Sequence, residues 1–221
     1  MAGQGVFITI EGIEGAGKTT QALLLGSALQ ASHHQVTRTR EPGGGGKVGA
    51  TLRRLLKDPQ VWRELELAEI YLYAAARAHH LESLILPALA QGHVVLCDRY
   101  LDSTRAYQGD GRGRNPRLIE ELHRLPPLDT RPQRTLLLDL PPALGLDRAA
   151  LRDEDEHAGY DDESFAFFDK VRSGFLRIAS GDPERVRIID ASGDPSRVHQ
   201  RVVDALLDLF PTLSVVEGRD G

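Results

Sequence analysis

Nine residues, GIEGAGKTT from Gly12 to Thr20, are spaced to hold a chain of phosphates. They fit the pattern G-x-x-x-x-G-K-[ST], and they lie where that pattern works, between an apolar run and an amphipathic one. Gly12, Gly15 and Gly17 keep the backbone open, so that N–H groups can point at phosphate oxygens, helped by the start of a helix. The loop from Gly12 through Ile13, Glu14, Gly15, Ala16 and Gly17 to Thr20 would wrap a triphosphate. Lys18 would reach its β- and γ-phosphates, and the Thr19 hydroxyl would ligate Mg²⁺. This is a nucleoside triphosphate site. Between Gly12 and Gly17 there is no Arg or Lys, so further positive charge for phosphoryl transfer must come from elsewhere.

Two carboxylates compete to organise the metal. Asp98 ends the apolar run VVLCD, and Asp139 ends LLLDL. Either would serve equally as a cap or turn residue. Asp98 is preferred because Arg99 follows it, and an Asp-Arg pair at a cleft can hold metal and phosphate together. Cys97 alternates to the opposite face and reads as core.

A second set of residues suits another anion. In YLYAAARAHH, Tyr73 and Arg77 are i and i+4 and share a helix face, one ring to stack on a base and one guanidinium for a phosphate or carbonyl. Taken by itself, that helix could equally be amphipathic with an aromatic in the core. DRYLDSTRAYQGDGRG then places Arg99, Ser103, Thr104, Tyr107 and Gln108 just beyond a strand end. TREPGG puts Arg40 and Glu41 at the end of another. Hydroxyls, an amide and guanidinium groups together suit a nucleoside monophosphate. A guanine-specific switch would need an N-K-x-D segment, and the only Asn, Asn115, precedes Pro116. A partner-activated ATPase switch is the reading from another class, and the second anion cluster tells against it.

The elements that must position these groups alternate along the chain. Strands are expected at Val6–Glu11, Gln35–Arg40, Val94–Asp98, Thr135–Leu140 and Val186–Asp190. Helices are expected at Lys18–Ala31, Gly49–Lys57, Glu64–Gln91 with a kink near Pro87, Pro142–Arg152, Ser164–Ala179 and Pro195–Phe210. Strands separated by helices imply parallel pairing in a doubly wound α/β sheet, with ligands at the carboxyl ends of the strands. The 221 residues fit one domain, and a net charge of −5 argues against nucleic acid or an anionic membrane as partner. One cysteine, no signal-like start and no span of ~20 apolar residues point to a reducing cytoplasm. Residues 211–221 read as a flexible tail.

These residues resemble a known family. From Val6 to Leu209 the chain is similar to bacterial thymidylate kinases, most specifically in FITIEGIEGAGKTT, TREPGG, LCDRYLDSTRAYQGDGRG and ESFAFFDKVRSGF. The resemblance implies a P-loop nucleoside monophosphate kinase fold over residues 1–210, a five-stranded parallel sheet flanked by helices, with a mobile lid at about 146–165. It implies transfer of phosphate from ATP to dTMP with Mg²⁺, and a homodimer through the long helix around Glu64 to Gln91. Other nucleoside monophosphate kinases, of uridylate or guanylate type, are the alternative. By likeness, Tyr73 stacks on thymine, Arg77 and Arg99 contact the base edge and monophosphate, and Ser103 and Thr104 lie near the base. Gln108 lies beside sugar and phosphate, Tyr107 crowds the sugar 2′ position, and Arg40, Glu41 and Pro42 border the acceptor. Glu14 lies near the acceptor sugar.

Some members carry an Arg directly after that acidic residue, where this chain has Gly15; relatives with Gly there supply basic residues from the lid. Here Arg148 and Arg152 are i and i+4 before the lid, but the usual Asp-Arg-Ile-Glu segment aligns with Ala158, Gly159, Tyr160 and Asp161, and Asp153–Glu156 is inserted. The expectation is that Arg152 supplies the transition-state charge and Arg148 lies nearer adenine, with Lys170 or Arg172 as alternative suppliers. Lys18, Arg99, Arg152 and Glu14 make up the expected catalytic set.

Overall fold

The computed structural model describes residues 5–58, 66–150 and 164–215. Its centre is a five-stranded sheet in the order β2-β3-β1-β4-β5. The strands are β1 (Val6–Glu11), β2 (Val36–Arg40), β3 (Val94–Asp98), β4 (Arg134–Asp139) and β5 (Val186–Asp190). Every pairing is parallel. Register aligns Ile10 with Asp98, Arg40 with Asp98, Glu11 with Leu137, and Asp139 with Asp190. All strand ends that carry chemistry therefore share one edge. From β1 the chain runs to β2 and β3 on one side, then crosses to β4 and β5 on the other. Such a reversal opens a crevice at the carboxyl end of the central strand.

The apolar runs become strands because both faces of the sheet are covered. On one face Ile8, Ile10, Leu96 and Leu136 pack with α1 (Lys18–Ala31), α8 (Phe165–Gly181) and α9 (Pro195–Asp204), through Leu25, Phe168 and Val202 among others. On the other, Phe7, Val95 and Cys97 pack with α3 (Glu66–His80) and α6 (Pro116–Leu122), through Ile70 and Ile119. Cys97 is core, as its alternation with Leu96 predicts.

The expected elements are present, with boundaries shifted where a cap or turn decides them. Helix α2 (Lys47–Lys57) begins at Lys47 rather than Gly49. Ser164 is the N-cap of α8, its Oγ accepting from the Phe167 N–H at 3.3 Å. Helix α9 stops at Asp204, and turns carry the chain to Leu209. The long helix passes through a π turn (Leu81–Ile85) into α4 (Leu86–Ala90), so Pro87 falls in the first turn of the resumed α-helix. Proline lacks an N–H to donate and crowds the carbonyl four residues back, and the wider turn before it answers both problems. Two short stretches complete the acceptor side: α5 (Leu101–Thr104) and a second π turn (Arg105–Gly111). Helix α7 (Pro142–Ala150) includes the first residues expected to form the lid. Arg152, the Asp153–Glu156 insertion and the aligned Ala158–Asp161 segment lie outside the described residues. Leu213 is 4% exposed and joins the core, so packing continues past the expected boundary at residue 210.

Candidate active site

The phosphate loop leaves β1 and turns sharply into α1. Gly12, at φ 142°, and Gly15, at φ 73°, take backbone values that L side chains rarely adopt. Contact reinforces the need at Gly15, where a Cβ would lie 2.0 Å from the carbonyl oxygen of Gly145 on α7. The reverse holds too, since a Cβ on Gly145 would lie 2.5 Å from the Glu14 carbonyl oxygen. The sequence presents Gly15 as a position lacking charge. The structure adds that α7 is seated on it, backbone to backbone, and leaves no room for a side chain.

Lys18 Nζ donates to the Ile13 carbonyl at 2.7 Å, arching over the loop. Burial, followed by the Arg99 cation, brings its pKa down to about 8. A triphosphate would restore the charge by supplying negative oxygens to that buried ammonium. Thr19 Oγ1 donates to Asp98 Oδ2 at 2.8 Å. Asp139 instead forms a bidentate pair with Arg172, at 2.7 and 2.9 Å. Of the two competing carboxylates, Asp98 is thus the one in contact with the loop hydroxyl. The same pair engages Arg172, one of the alternative suppliers of charge.

Arg99 joins the two halves of the site. Its backbone is left-handed, at φ 68°. One guanidinium nitrogen donates to the Gly12 carbonyl at 3.0 Å and Ser103 Oγ at 3.3 Å. The other donates to Glu14 Oε1 and to the Tyr107 hydroxyl at 3.1 Å. Its carbon also stands 4.7 Å from the centre of the Tyr107 ring, a cation–π distance. Glu14 is therefore an ion-pair partner of Arg99.

On the acceptor side Arg77 is fully engaged by the protein. Its Nε donates to Glu41 Oε2 at 2.8 Å, one terminal nitrogen to His123 Nε2, and the other to Thr104 Oγ1 at 3.0 Å. His123 donates through Nδ1 to the Ile119 carbonyl, leaving Nε2 as acceptor. Burial, then the neighbouring Arg77 cation, lowers His123 to about 4, which keeps the ring neutral as that arrangement requires. Glu41 also accepts from His80 Nδ1 at 3.0 Å. Burial pushes its carboxyl up, but Arg77 and the His80 hydrogen bond outweigh this and hold it below the usual value. Arg77 thus borders the cleft as part of a buried frame, with the Tyr100 ring 4.9 Å away. Gln108 is buried and donates to Glu69 Oε1 at 3.1 Å.

Many of these groups line one cleft of about 600 Å³, while Asp139, Arg172, His80, His123 and Glu69 lie outside its lining. Its donor end has the loop from Glu14 to Thr20, with Arg148. Arg148 donates to the carbonyls of Ala191 and Gly193 at 3.2 and 3.3 Å, which ties α7 to the segment after β5. Its acceptor end has Arg40, Glu41, Pro42, Tyr73 and Arg77, then Ser103, Thr104, Tyr107 and Gln108. Asp98 and Arg99 lie between. Gly12 and Ile13 serve the site through carbonyls that accept from Arg99 and Lys18.

Two residues in and beside the cleft escape sequence reasoning. Arg53 of α2 lines the cleft and donates to the Pro42 carbonyl at 2.8 Å. Burial, then Arg40 and Arg99, lowers its pKa. A signal existed, because Arg53 shares a helix face with the buried Gly49 and Leu56 at i−4 and i+3. Glu11, the last residue of β1, is wholly buried. Burial, then Asp102, raises its carboxyl to about 7, despite hydrogen bonds from Ser103 and the Tyr100 N–H.

A model of the family described as thymidylate kinase matches residues 10–202. Thymidylate kinase of Citrifermentans bemidjiense is 46% identical over 213 residues, 95% of this chain and 94% of that protein. That of Geobacter sulfurreducens is 44% identical over 211 residues, 94% of this chain and 99% of its own. The crystal structure of thymidylate kinase from Ehrlichia chaffeensis has a TM-score of 0.75 at 34% identity, covering 92% of this chain and 100% of that one.

Proposed function

Because the chain belongs to the thymidylate kinase family, we propose that its cleft moves the γ-phosphoryl group of ATP onto dTMP, giving ADP and dTDP on the route to dTTP. One observation carries the assignment of residues. Arg99 holds the phosphate loop through Gly12 and Glu14, and the acceptor segment through Ser103 and Tyr107. These contacts support Arg99 as the cation at which donor and acceptor phosphates meet.

In this reading the loop N–H groups and Lys18 hold the β- and γ-phosphates, while Glu14 keeps Arg99 aimed at the reacting oxygens. Arg40 and Arg53 supply further charge at the acceptor phosphate. Tyr73, Thr104 and Gln108 take the base and sugar, and Arg77 with Glu41 frames that end. The chemistry is positioning and electrostatic stabilisation in a half-buried cleft, with no covalent enzyme intermediate. Thr19 and Asp98 present a hydroxyl and a carboxylate oxygen in contact with each other, hard donors suited to Mg²⁺. When bound, the ion would neutralise charge on the β- and γ-oxygens. Arg152 remains the proposed lid cation and Arg148 the adenine-side one, within a single kinase domain whose lid is at about 146–165.

A homodimer is part of the same proposal. Leu67 and Tyr71 on α3 are 57% and 48% exposed, and Val48 and Leu55 on the adjoining α2 are also exposed, an apolar face suited to a second copy. So is a reducing cytoplasm, in keeping with the buried Cys97 thiol. ADP release from ATP is measured with dTMP, dUMP, UMP, GMP and water as acceptors. dTMP is expected to dominate, and a dTMP rate no higher than the water background would refute the function.

A further inference from the structure

The conspicuous unused group is Glu11. A buried carboxylate at a strand end costs stability unless its oxygens are hydrogen-bonded. Its two oxygens go to one short segment: Oε1 accepts from the Tyr100 N–H at 2.8 Å and Oε2 from Ser103 Oγ at 2.5 Å. The residues on either side of it do the same. The Ile10 carbonyl accepts from the Arg99 N–H at 3.0 Å, and the Gly12 carbonyl accepts from the Arg99 guanidinium at 3.0 Å. Three successive residues at the end of β1 therefore fasten the segment 99–103. Between those fastenings Arg99 takes its left-handed backbone, at φ 68°. A non-glycine residue persists there only when its surroundings over-determine it.

We propose that Glu11 is a positioning residue for the acceptor half of the reaction: it fixes the Tyr100 backbone and the Ser103 hydroxyl, and through them the aim of Arg99 at the acceptor phosphate. The inference rests on the kinase reading above. It assigns Glu11 no contact with either nucleotide. The donor half should depend on it less, because its carboxylate acts on Lys18 only at a distance and the Lys18–Ile13 and Thr19–Asp98 contacts do not pass through it.

The test uses Glu11→Gln and Glu11→Asp in the full chain. Gln keeps the size and one acceptor but replaces the other with a donor, so Ser103 must turn its hydroxyl proton elsewhere. Asp keeps the chemistry but is one methylene too short to reach both partners. Steady-state kinetics at saturating ATP give KM for dTMP, and calorimetric titration with ATP by itself gives its Kd. The expected result is a KM for dTMP at least tenfold higher in both variants, with the Kd for ATP within threefold of wild type. A KM for dTMP within threefold of wild type in either folded variant would overturn the proposal. So would a loss of ATP affinity in step with dTMP, the mark of a general structural lesion. Wild-type turnover of dTMP tests the kinase reading separately, and only the ratio of variant to wild type tests Glu11.

Discussion

Glu11 and His123 should pull the stability of the protein in opposite directions with pH, and the size of each effect can be worked out. His123, buried beside Arg77, has its value lowered from 6.5 to about 4. Between those values the unfolded chain holds a proton that the folded one refuses, so stability rises with pH by about 1.4 kcal/mol per unit. Its contribution is complete above 6.5 and is lost as pH falls through about 4. Glu11 has its value raised from 4.5 to about 7. Here the folded chain holds the extra proton, so stability falls with pH at the same slope, and what is present below 4.5 is gone above about 7. From pH 4.5 to 6.5 the two slopes cancel in the wild type, so single variants should uncover them. Across those two units Glu11→Gln should gain about 3 kcal/mol relative to wild type, and His123→Gln should lose about as much. The assay is urea unfolding by far-UV circular dichroism at pH 4.5, 5.5 and 6.5 without nucleotide, extrapolated to water. Taking differences from wild type removes the titrating groups that do not interact with either residue. If the Glu11→Gln difference changes by less than about 1 kcal/mol, or the two variants share a sign, the proton assignment at these buried groups is refuted.

Arg152→Ala should lower kcat more than about tenfold, roughly 1.4 kcal/mol, and a smaller fall would remove Arg152 as the lid cation. Arg53→Ala removes one charged partner of the acceptor phosphate, so KM for dTMP should rise roughly 10- to 150-fold; an equal rise in KM for ATP would contradict its place in the acceptor half. Gly15→Ala meets the Gly145 carbonyl and an unfavourable left-handed backbone, so ATP should bind more than about tenfold more weakly; titration calorimetry showing unchanged affinity would refute the packing argument. Leu67→Glu with Tyr71→Glu should give monomers in sedimentation equilibrium while leaving the far-UV spectrum intact, and persistence of a dimer would place the interface elsewhere.

What could be read from the sequence follows from how local each feature is. β1, β3 and β4 are legible because strands covered on both faces must be continuous apolar runs, as VFITIE and VVLCD are. Strand order is not legible, because it is set by where each crossover lands and leaves no residue pattern. The phosphate loop is legible because consecutive backbone groups make it. Arg77 shows the opposite case. Its spacing to Tyr73 places it correctly beside the cleft, yet its three partners lie 36, 46 and 27 residues away, and no local pattern reveals that Glu41, His123 and Thr104 occupy it. Arg53 and Glu11 were missed for a similar reason: a helix arginine and a strand-end glutamate are common, and only the folded neighbourhood makes them part of a site.

The seat of α7 on the phosphate loop has a historical consequence. The backbone of α7 at Gly145 forbids a side chain on Gly15, and the loop backbone at Glu14 forbids one on Gly145, so neither glycine can be exchanged while the other segment stays put. An ancestor or descendant that carries its catalytic arginine inside the loop cannot be reached from this chain by one codon change at position 15. The helix would have to lift away first, and until it did the intermediate would hold neither the old lid geometry nor the new charge. On the proposed reading, in which a lid cation serves catalysis, the two glycines act as a ratchet, because a substitution at either one meets the backbone of the other's segment.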